Sequence, residues 1–307
     1  MPLNPNSDGI KELLDYAASN GIKCLTMEPL SRHTTFKVGG PCSLMLFPDT
    51  IAKLRKILSW QGLGEIRHMV LGNGSNVLFS DQGYNGAIIS LAGSLNSVKE
   101  SDGVIKAEAG ALLSRVARLA LERELTGMEP LSGIPGSIGG ACYMNAGAYG
   151  GEMKDIVKSV TVLNRNGELK AIPREELMFG HRTSRFIGSG DIIAECTIKL
   201  SKAKKSDIQS AMEDFSNRRR LKQPLEYPSA GSVFKRPKDD FAGRLIEQCG
   251  LKGVSIGGAM VSQKHAGFII NKSGATSQDI KDLIDKIRTT VFNETGVLLE
   301  CEVQIID

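Results

Sequence analysis

Aromatic residues make up only 5% of this 307-residue chain, with a single Trp. No apolar run reaches about 18 residues, so no transmembrane helix is expected. The first residues, Met1 to Gly9, are polar with Pro2 and Pro5. They lack the charged-then-apolar order of a secretory signal. Six cysteines at 24, 42, 142, 196, 249 and 301 form no C-x-x-C pair, which sets aside a zinc ribbon or disulfide framework and fits reduced thiols in a cytoplasm. The four histidines at 33, 68, 181 and 265 make no H-E-x-x-H helix, and the absence of G-K-[ST] excludes a P-loop.

What is present is glycine, 34 residues of it, on an ordinary globular background of 41% apolar and 23% charged residues. The length suggests two or three domains. The net charge of +4 is unevenly spread: Lys202 to Lys238 holds ten Lys or Arg against four Asp or Glu. Such a cluster fits an anionic ligand or a solvated basic face.

The pattern divides the chain into three units of an α+β protein. In residues 1–95, Ile10, Leu13, Leu14 and Ala17 predict a helix over 7–19 behind a Ser7/Asp8 cap. Thr50 caps a second helix bearing Ile51, Leu54 and Leu58. Short apolar runs at 70–71, 77–79 and 87–89 read as strands. In residues 96–201, Val104–Ala109 alternates as a strand and Leu113, Val116, Ala117 and Ala120 mark a helix. A long Gly-rich loop is expected from Ser132 to Gly151. Strands at 159–163 and 169–172 flank Asn166-Gly167, a hairpin signal, and 191–200 closes the unit as a strand. Residues 202–206 read as a polar linker. In 202–307, Ile208, Ala211, Met212 and Phe215 form one helical stripe. Ala242, Leu245, Ile246 and Cys249 form another, stopped by Gly250. A helix capped by Thr276 and Asp279 carries a third stripe, Ile280 to Val291. A terminal strand puts Val297, Leu299, Cys301, Val303 and Ile305 on one face and Glu302 on the other.

Five segments could carry chemistry. In Leu71-Gly-Asn-Gly-Ser-Asn76, successive amides freed by Gly72 and Gly74 suit phosphate oxygens, though a plain hairpin loop has the same pattern. From 133 to 151, seven of nineteen residues are Gly; a long uncharged loop of this kind is usually functional and can lie against a large flat ligand. Ile134, Ile138, Tyr143, Met144 and Tyr149 argue against a solvated linker there. Ser232, after Gly231, is either a presented hydroxyl or a turn residue. Arg182 and Arg185 suit carboxylate or phosphate, or surface ion pairs. Glu302 by itself reads as a strand carboxylate, and His33 and His265 as loop histidines.

Taken in order, Arg32–Gly40, Leu71–Asn76, Gly133–Gly140, Asn145–Gly150, Gly231–Lys235 and Glu302-Val303 resemble the UDP-N-acetylenolpyruvoylglucosamine reductase (UDP-N-acetylmuramate dehydrogenase) family from about residue 30 to the end. The resemblance implies a two-subdomain FAD-binding domain of the vanillyl-alcohol-oxidase type, 1–95 and 96–201, with a smaller α+β substrate domain at 202–307. The compact stretch from Phe186 to Asp191 resembles the family's short form, which lacks an inserted tyrosine loop. FAD, held non-covalently, is then expected on Gly72, Asn73, Gly74, Ser75 and Asn76, on Gly133, Pro135, Gly136, Ser137, Gly139 and Gly140, and on Asn145, Gly147 and Ala148.

The implied reaction is NADPH-dependent reduction of the enolpyruvyl ether of a UDP-sugar to a lactyl ether, for peptidoglycan. Hydride at C3 leaves negative charge at C2, which calls for a cation and hydrogen-bond donors already aimed there, and then a proton. By resemblance Arg182 supplies the cation, Ser232 the proton, and Glu302 polarises the carboxylate as an acid whose pKa burial would raise. Lys222, Lys235 and His265 are implied at the substrate. His181 stands where the family commonly has Tyr, and Arg236 where Asn often follows the Lys. The expected setting is the cytoplasm, with no nucleic acid, membrane or obligate protein partner. Two alternatives are another FAD enzyme of the superfamily, such as a small-alcohol or sugar oxidase, and a nucleotide- or nucleic-acid-binding protein using Arg218-Arg-Arg220.

Overall fold

The computed structural model describes residues 7–164 and 167–307. Helix α1 (Asp8–Ser19) buries Ile10, Leu13 and Ala17, a spacing that puts all three on one face. Ser7 occupies the N-cap position, but its side chain makes no capping bond. Strands β1 (Lys23–Pro29) and β2 (Pro41–Phe47) precede α2 (Ile51–Ser59), which Thr50 does cap by accepting from the Lys53 amide. Strands β3 (His68–Leu71), β4 (Val77–Phe79) and β5 (Tyr84–Ser90) follow. The first sheet has the order β1-β2-β5-β3, with β2 and β3 parallel to β5. Its central strand β2 is buried without break from Cys42 to Leu46, as expected for strands covered on both faces.

The second sheet is antiparallel. Strands β6 (Val98–Ser101) and β7 (Val104–Glu108) lead to α3 (Leu113–Glu122), whose Leu113, Val116, Ala117 and Ala120 are buried. After β8 (Leu125–Thr126) the segment expected as one open loop contains a helix, α4 (Ile138–Tyr143). Gly139 and Gly140 weaken its helical signature, yet Ser137 caps it, and Ile138, Ala141 and Cys142 are buried. The pair β9 (Gly147–Ala148) and β10 (Gly151–Glu152) and the turn α5 (Met153–Ile156) come next. Strands β11 (Val157–Leu163), β12 (Leu169–Pro173) and β13 (Ile192–Lys199) complete the order β12-β11-β13-β7-β6. Strands β11 and β12 form the expected antiparallel pair; Asn166 of its turn lies outside the described residues, and Gly167 has φ +73°. Strand β14 (Ser201–Lys202) pairs with β8.

Helix α6 (Lys205–Lys222) starts inside the expected linker. Of its expected stripe only Ile208 is buried; the other buried residue is Arg219. Strand β15 (Ser229–Ser232), helix α7 (Ala242–Gln248), and strands β16 (Ser255–Ile256), β17 (Ala259–Val261) and β18 (Phe268–Asn271) follow. They make the sheet β15-β18-β17-β16. Helix α8 (Ser277–Thr295) opens on a capping box between Thr276 and Asp279 and ends on Gly296 at φ +72°.

The terminal strand differs from expectation. Leu299 and Val303 are buried and Leu298 is exposed, as the alternation requires, but it fails beyond them: Ile305 is exposed, Ile306 packs against a core, and the Glu302 side chain is mostly buried. Only β19 (Gln304–Ile306) is a strand, however, and it runs parallel to β4; the residues just upstream form an isolated bridge, Cys301 to Phe234, with backbone bonds from the Lys235 amide to the Glu300 carbonyl and from the Glu302 amide to the Val233 carbonyl. The chain end therefore returns to the first unit. Phe36, Val38 and Leu78 share a core with Leu245, Ile246 and Leu283, and the Asp81 carboxylate accepts from the Ser277 amide and hydroxyl at 2.8 Å. The first two units also share one core, from Ile10 to Leu200.

Candidate active site

The turn from β3 to β4 faces the N-terminal end of α4 across a cavity of about 560 Å³. Gly72, Asn73, Gly74, Ser75 and Asn76 line one side, and Gly136, Ser137, Gly139 and Gly140 the other. The two loops are tied by Asn73, whose side-chain amide donates to the Pro135 carbonyl at 2.7 Å. One glycine is required by contact: a Cβ on Gly74, at φ +61°, would stand 2.0 Å from the His33 carbonyl oxygen, while one on Gly72 would displace the Ser137 hydroxyl, 2.4 Å away. Among the described residues, no amide from Asn73 to Asn76 donates to a backbone carbonyl. An arc of open amides is an anion cradle. Leu71, Met144, Phe186 and Ile192 give the same cavity an apolar wall.

A second cavity, about 680 Å³, is lined by Gly147, Ala148, His181, Arg182, Ser232 and Glu302, with Lys222 and His265 among its other walls. The linings of the two cavities are consecutive in the chain at Ala146 and Gly147. Arg182 sits in the tight turn bridging Gly180 and Thr183, at φ +52°, a conformation costing about 1–3 kcal/mol for a non-Gly residue. Its side chain is fixed twice: Nε donates to Glu302 Oε1 at 2.8 Å, and one terminal nitrogen to the Gly147 carbonyl at 3.1 Å.

Glu302 is strung between the two sides of the site. Its amide donates to the Val233 carbonyl, next to Ser232, at 2.7 Å, and its own carbonyl accepts from Asn76 Nδ2 of the first cavity at 3.1 Å. Its side chain is 13% exposed. Burial raises the carboxyl pKa above its ordinary value; the charges of Arg182, His181 and Lys235 oppose that shift without cancelling it. His265 moves the other way, lowered by burial. The Gly267 amide donates to its Nδ1 at 3.1 Å, so the neutral ring carries its proton on Nε2.

The structure therefore brings Arg182, Ser232, Glu302, Lys222 and His265 around one cavity, with Gly147 and Ala148, which were expected at the cofactor, on that same wall. Several expected residues do not line either cavity. Asn145 is fully buried, its side chain spent on Glu152, Gly180 and the Lys154 amide. Gly133 and Pro135 are exposed, and their carbonyls are taken up by Arg219 and Asn73. Lys235 pairs with Glu300 at 3.2 Å. The Arg218–Arg220 tract presents no continuous basic face, because Arg218 pairs with Asp214 and Arg219 is buried against Gly133. Phe241, Lys264 and Gln304 line the cavities and were not foreseen. Lys264 adjoins His265 in sequence, which is the one signal that could have found it.

Residues 42–172 match the model of an FAD binding domain, and residues 223–306 that of the UDP-N-acetylenolpyruvoylglucosamine reductase C-terminal domain. A berberine-bridge-enzyme-like protein of Physcomitrella patens shares the fold, with TM-score 0.50 and 17% identity over 62% of this chain and 44% of that one. Fold and cavities together define a two-subdomain FAD-binding fold of the vanillyl-alcohol-oxidase type, that of a flavin-dependent oxidoreductase. The open amides, the glycine with no room for a Cβ and the apolar wall fit that cofactor. The UDP-N-acetylenolpyruvoylglucosamine reductase of Clostridium tetani is 42% identical over 99% of this chain and 98% of its own, and that of Caldicellulosiruptor bescii 46% identical over 95% and 93%. The crystal structure of the Thermus caldophilus reductase superposes with TM-score 0.80 at 35% identity, covering 93% of this chain and 99% of that one. The chain belongs to the UDP-N-acetylenolpyruvoylglucosamine reductase family.

Proposed function

We propose that this protein reduces UDP-N-acetylenolpyruvoylglucosamine to UDP-N-acetylmuramate in the cytoplasm, with NADPH as reductant and non-covalent FAD, the units 1–95 and 96–201 holding the cofactor and 202–307 the substrate. The observation that carries this reading is the Arg182–Glu302 pair, joined at 2.8 Å and lining one cavity with Ser232. FAD, when bound, would supply the hydride-transfer chemistry that links NADPH to C3 of the enolpyruvyl group.

The chain's own residues then have separable tasks. Gly72–Asn76 would hold the FAD diphosphate by their open backbone amides, with Gly136 and Ser137 facing them across the cavity. Arg182 places a permanent cation where charge develops on the substrate carboxylate, an interaction strongest in the transition state. Glu302, raised in pKa by burial, serves as the neutral acid that donates a hydrogen bond to the same carboxylate. Ser232, an exposed hydroxyl at the end of β15, delivers the proton to C2. Lys235 is engaged with Glu300, so its help to Ser232 is electrostatic only. Lys222 attracts the diphosphate, and His265 contributes an uncharged donor.

The test is product identity. Incubated with NADPH and the enolpyruvyl UDP-sugar, the protein should yield a UDP-sugar heavier by two hydrogens, with one NADPH consumed per product. NADPH oxidation with the UDP-sugar recovered unchanged would sink the reading.

A further inference from the structure

The mouth of the catalytic cavity carries an aromatic ring for which the reaction above has no use. Phe241 is 57% exposed and lines that cavity, just ahead of α7, whose apolar face is made instead by Ala242, Leu245 and Ile246. Leaving a Phe side chain exposed forgoes about 1.5–3 kcal/mol of burial. The ring is nevertheless held in place. The Arg236 guanidinium lies 4.0 Å from its centroid, a cation–π contact that orients both groups. Asp240 organises the pair: its backbone carbonyl accepts from Arg236 Nε at 3.3 Å, its carboxylate accepts from the Phe241 amide at 2.6 Å, and the same carboxylate pairs with Arg244. Cations of Lys222 and Lys264 share the cavity.

A flat apolar ring backed by a guanidinium, with lysines nearby, matches a nucleotide: base on the ring, phosphates on the cations. We propose that Phe241 and Arg236 form a stacking platform for the uracil of the UDP-sugar and set how tightly that end of the substrate is held. The inference rests on the substrate class proposed above and adds the residues that grip its base.

The test uses the full-length flavoprotein. Phe241→Ala should raise KM for the UDP-sugar about tenfold with kcat changed less than about twofold, the mark of binding lost equally from ground and transition states. Phe241→Tyr should restore KM. An unchanged KM in Phe241→Ala, or a rise for NADPH alone, overturns the assignment. In Phe241→Trp, UDP should quench the new emission and ribose 5-phosphate should not. If UDP inhibits turnover yet leaves that emission unchanged, the platform is refuted while the reductase reading stands. If the wild-type protein binds neither UDP nor NADPH, the underlying reading fails and the platform with it.

Discussion

Arg182→Met removes a guanidinium that makes two directed bonds, to Glu302 at 2.8 Å and to the Gly147 carbonyl at 3.1 Å. The charge that matters is the substrate carboxylate, since Glu302 acts as a neutral acid: two unit charges about 4 Å apart interact by about 4 kcal/mol at an effective dielectric constant of about 20. The Arg182 side chain is only 23% exposed, so little of this is screened. Losing one such preorganised partner costs about 2.7–4 kcal/mol, or about 10²–10³ in rate. That loss should fall on substrate reduction and spare flavin reduction by NADPH, because no negative charge develops beside Arg182 in the first step. Glu302 loses the charge that holds its pKa down, so that pKa should rise further. Anaerobic stopped-flow spectroscopy at about 450 nm separates the two half-reactions. A variant whose substrate-reduction rate stays within threefold of wild type, roughly 0.7 kcal/mol, would refute the assignment of Arg182 as the cation.

Ser232→Ala should leave flavin reduction by NADPH nearly intact and slow the second half-reaction by about 10²–10⁴; survival of both rates in stopped flow would mean that another group delivers the proton. Gly74→Ala should destabilise the fold by at least about 2 kcal/mol and deplete bound flavin, since its Cβ would meet the His33 carbonyl oxygen at 2.0 Å; thermal unfolding and the flavin absorbance check both. Asp279 is held below its ordinary pKa by the Thr276 and Gly258 amides. Its stabilisation is therefore present above the unfolded-state pKa and lost as pH falls through the folded one, and Asp279→Asn should flatten the acid limb of a stability–pH curve. Glu302 has the opposite sign: its raised pKa gives stability below the unfolded pKa that is lost as pH rises through the folded value, and Glu302→Gln should remove that dependence.

The apolar periodicity made the helices legible. Leu113, Val116, Ala117 and Ala120, and likewise Ile280 to Val291, are buried where their spacing puts them, because a 3.6-residue repeat has one packing solution. Helix α4 was hidden since two of its six residues are glycine, one of them, Gly139, packed so tightly that a Cβ would stand 2.8 Å from that of Ala109. The stripe on α6 faces inward as spaced, with Ile208 buried, Met212 packed on the core and Phe215 stacked on Tyr149; what it did not show is Arg219 and its bond to Gly133, a polar anchor with no periodic signal. The return of β19 to β4 is a contact across more than two hundred residues, and pairing at that range leaves no local mark. Within the site, Gly72 and Gly74 showed in the sequence as points where the backbone is freed, whereas Arg182 showed only as a guanidinium and its left-handed turn left no signal. The Arg182–Glu302 contact was foreshadowed only by the family resemblance, and Phe241 was masked by its place at the edge of an apolar helix.

The most direct measurement is an anaerobic titration of the purified flavoprotein. NADPH should bleach the flavin band at about 450 nm, and UDP-N-acetylenolpyruvoylglucosamine, added next without oxygen, should restore it stoichiometrically within the time of a single turnover. A flavin that NADPH bleaches but this substrate leaves reduced would contradict the account and favour a different acceptor, as for an alcohol or sugar oxidase of the same fold.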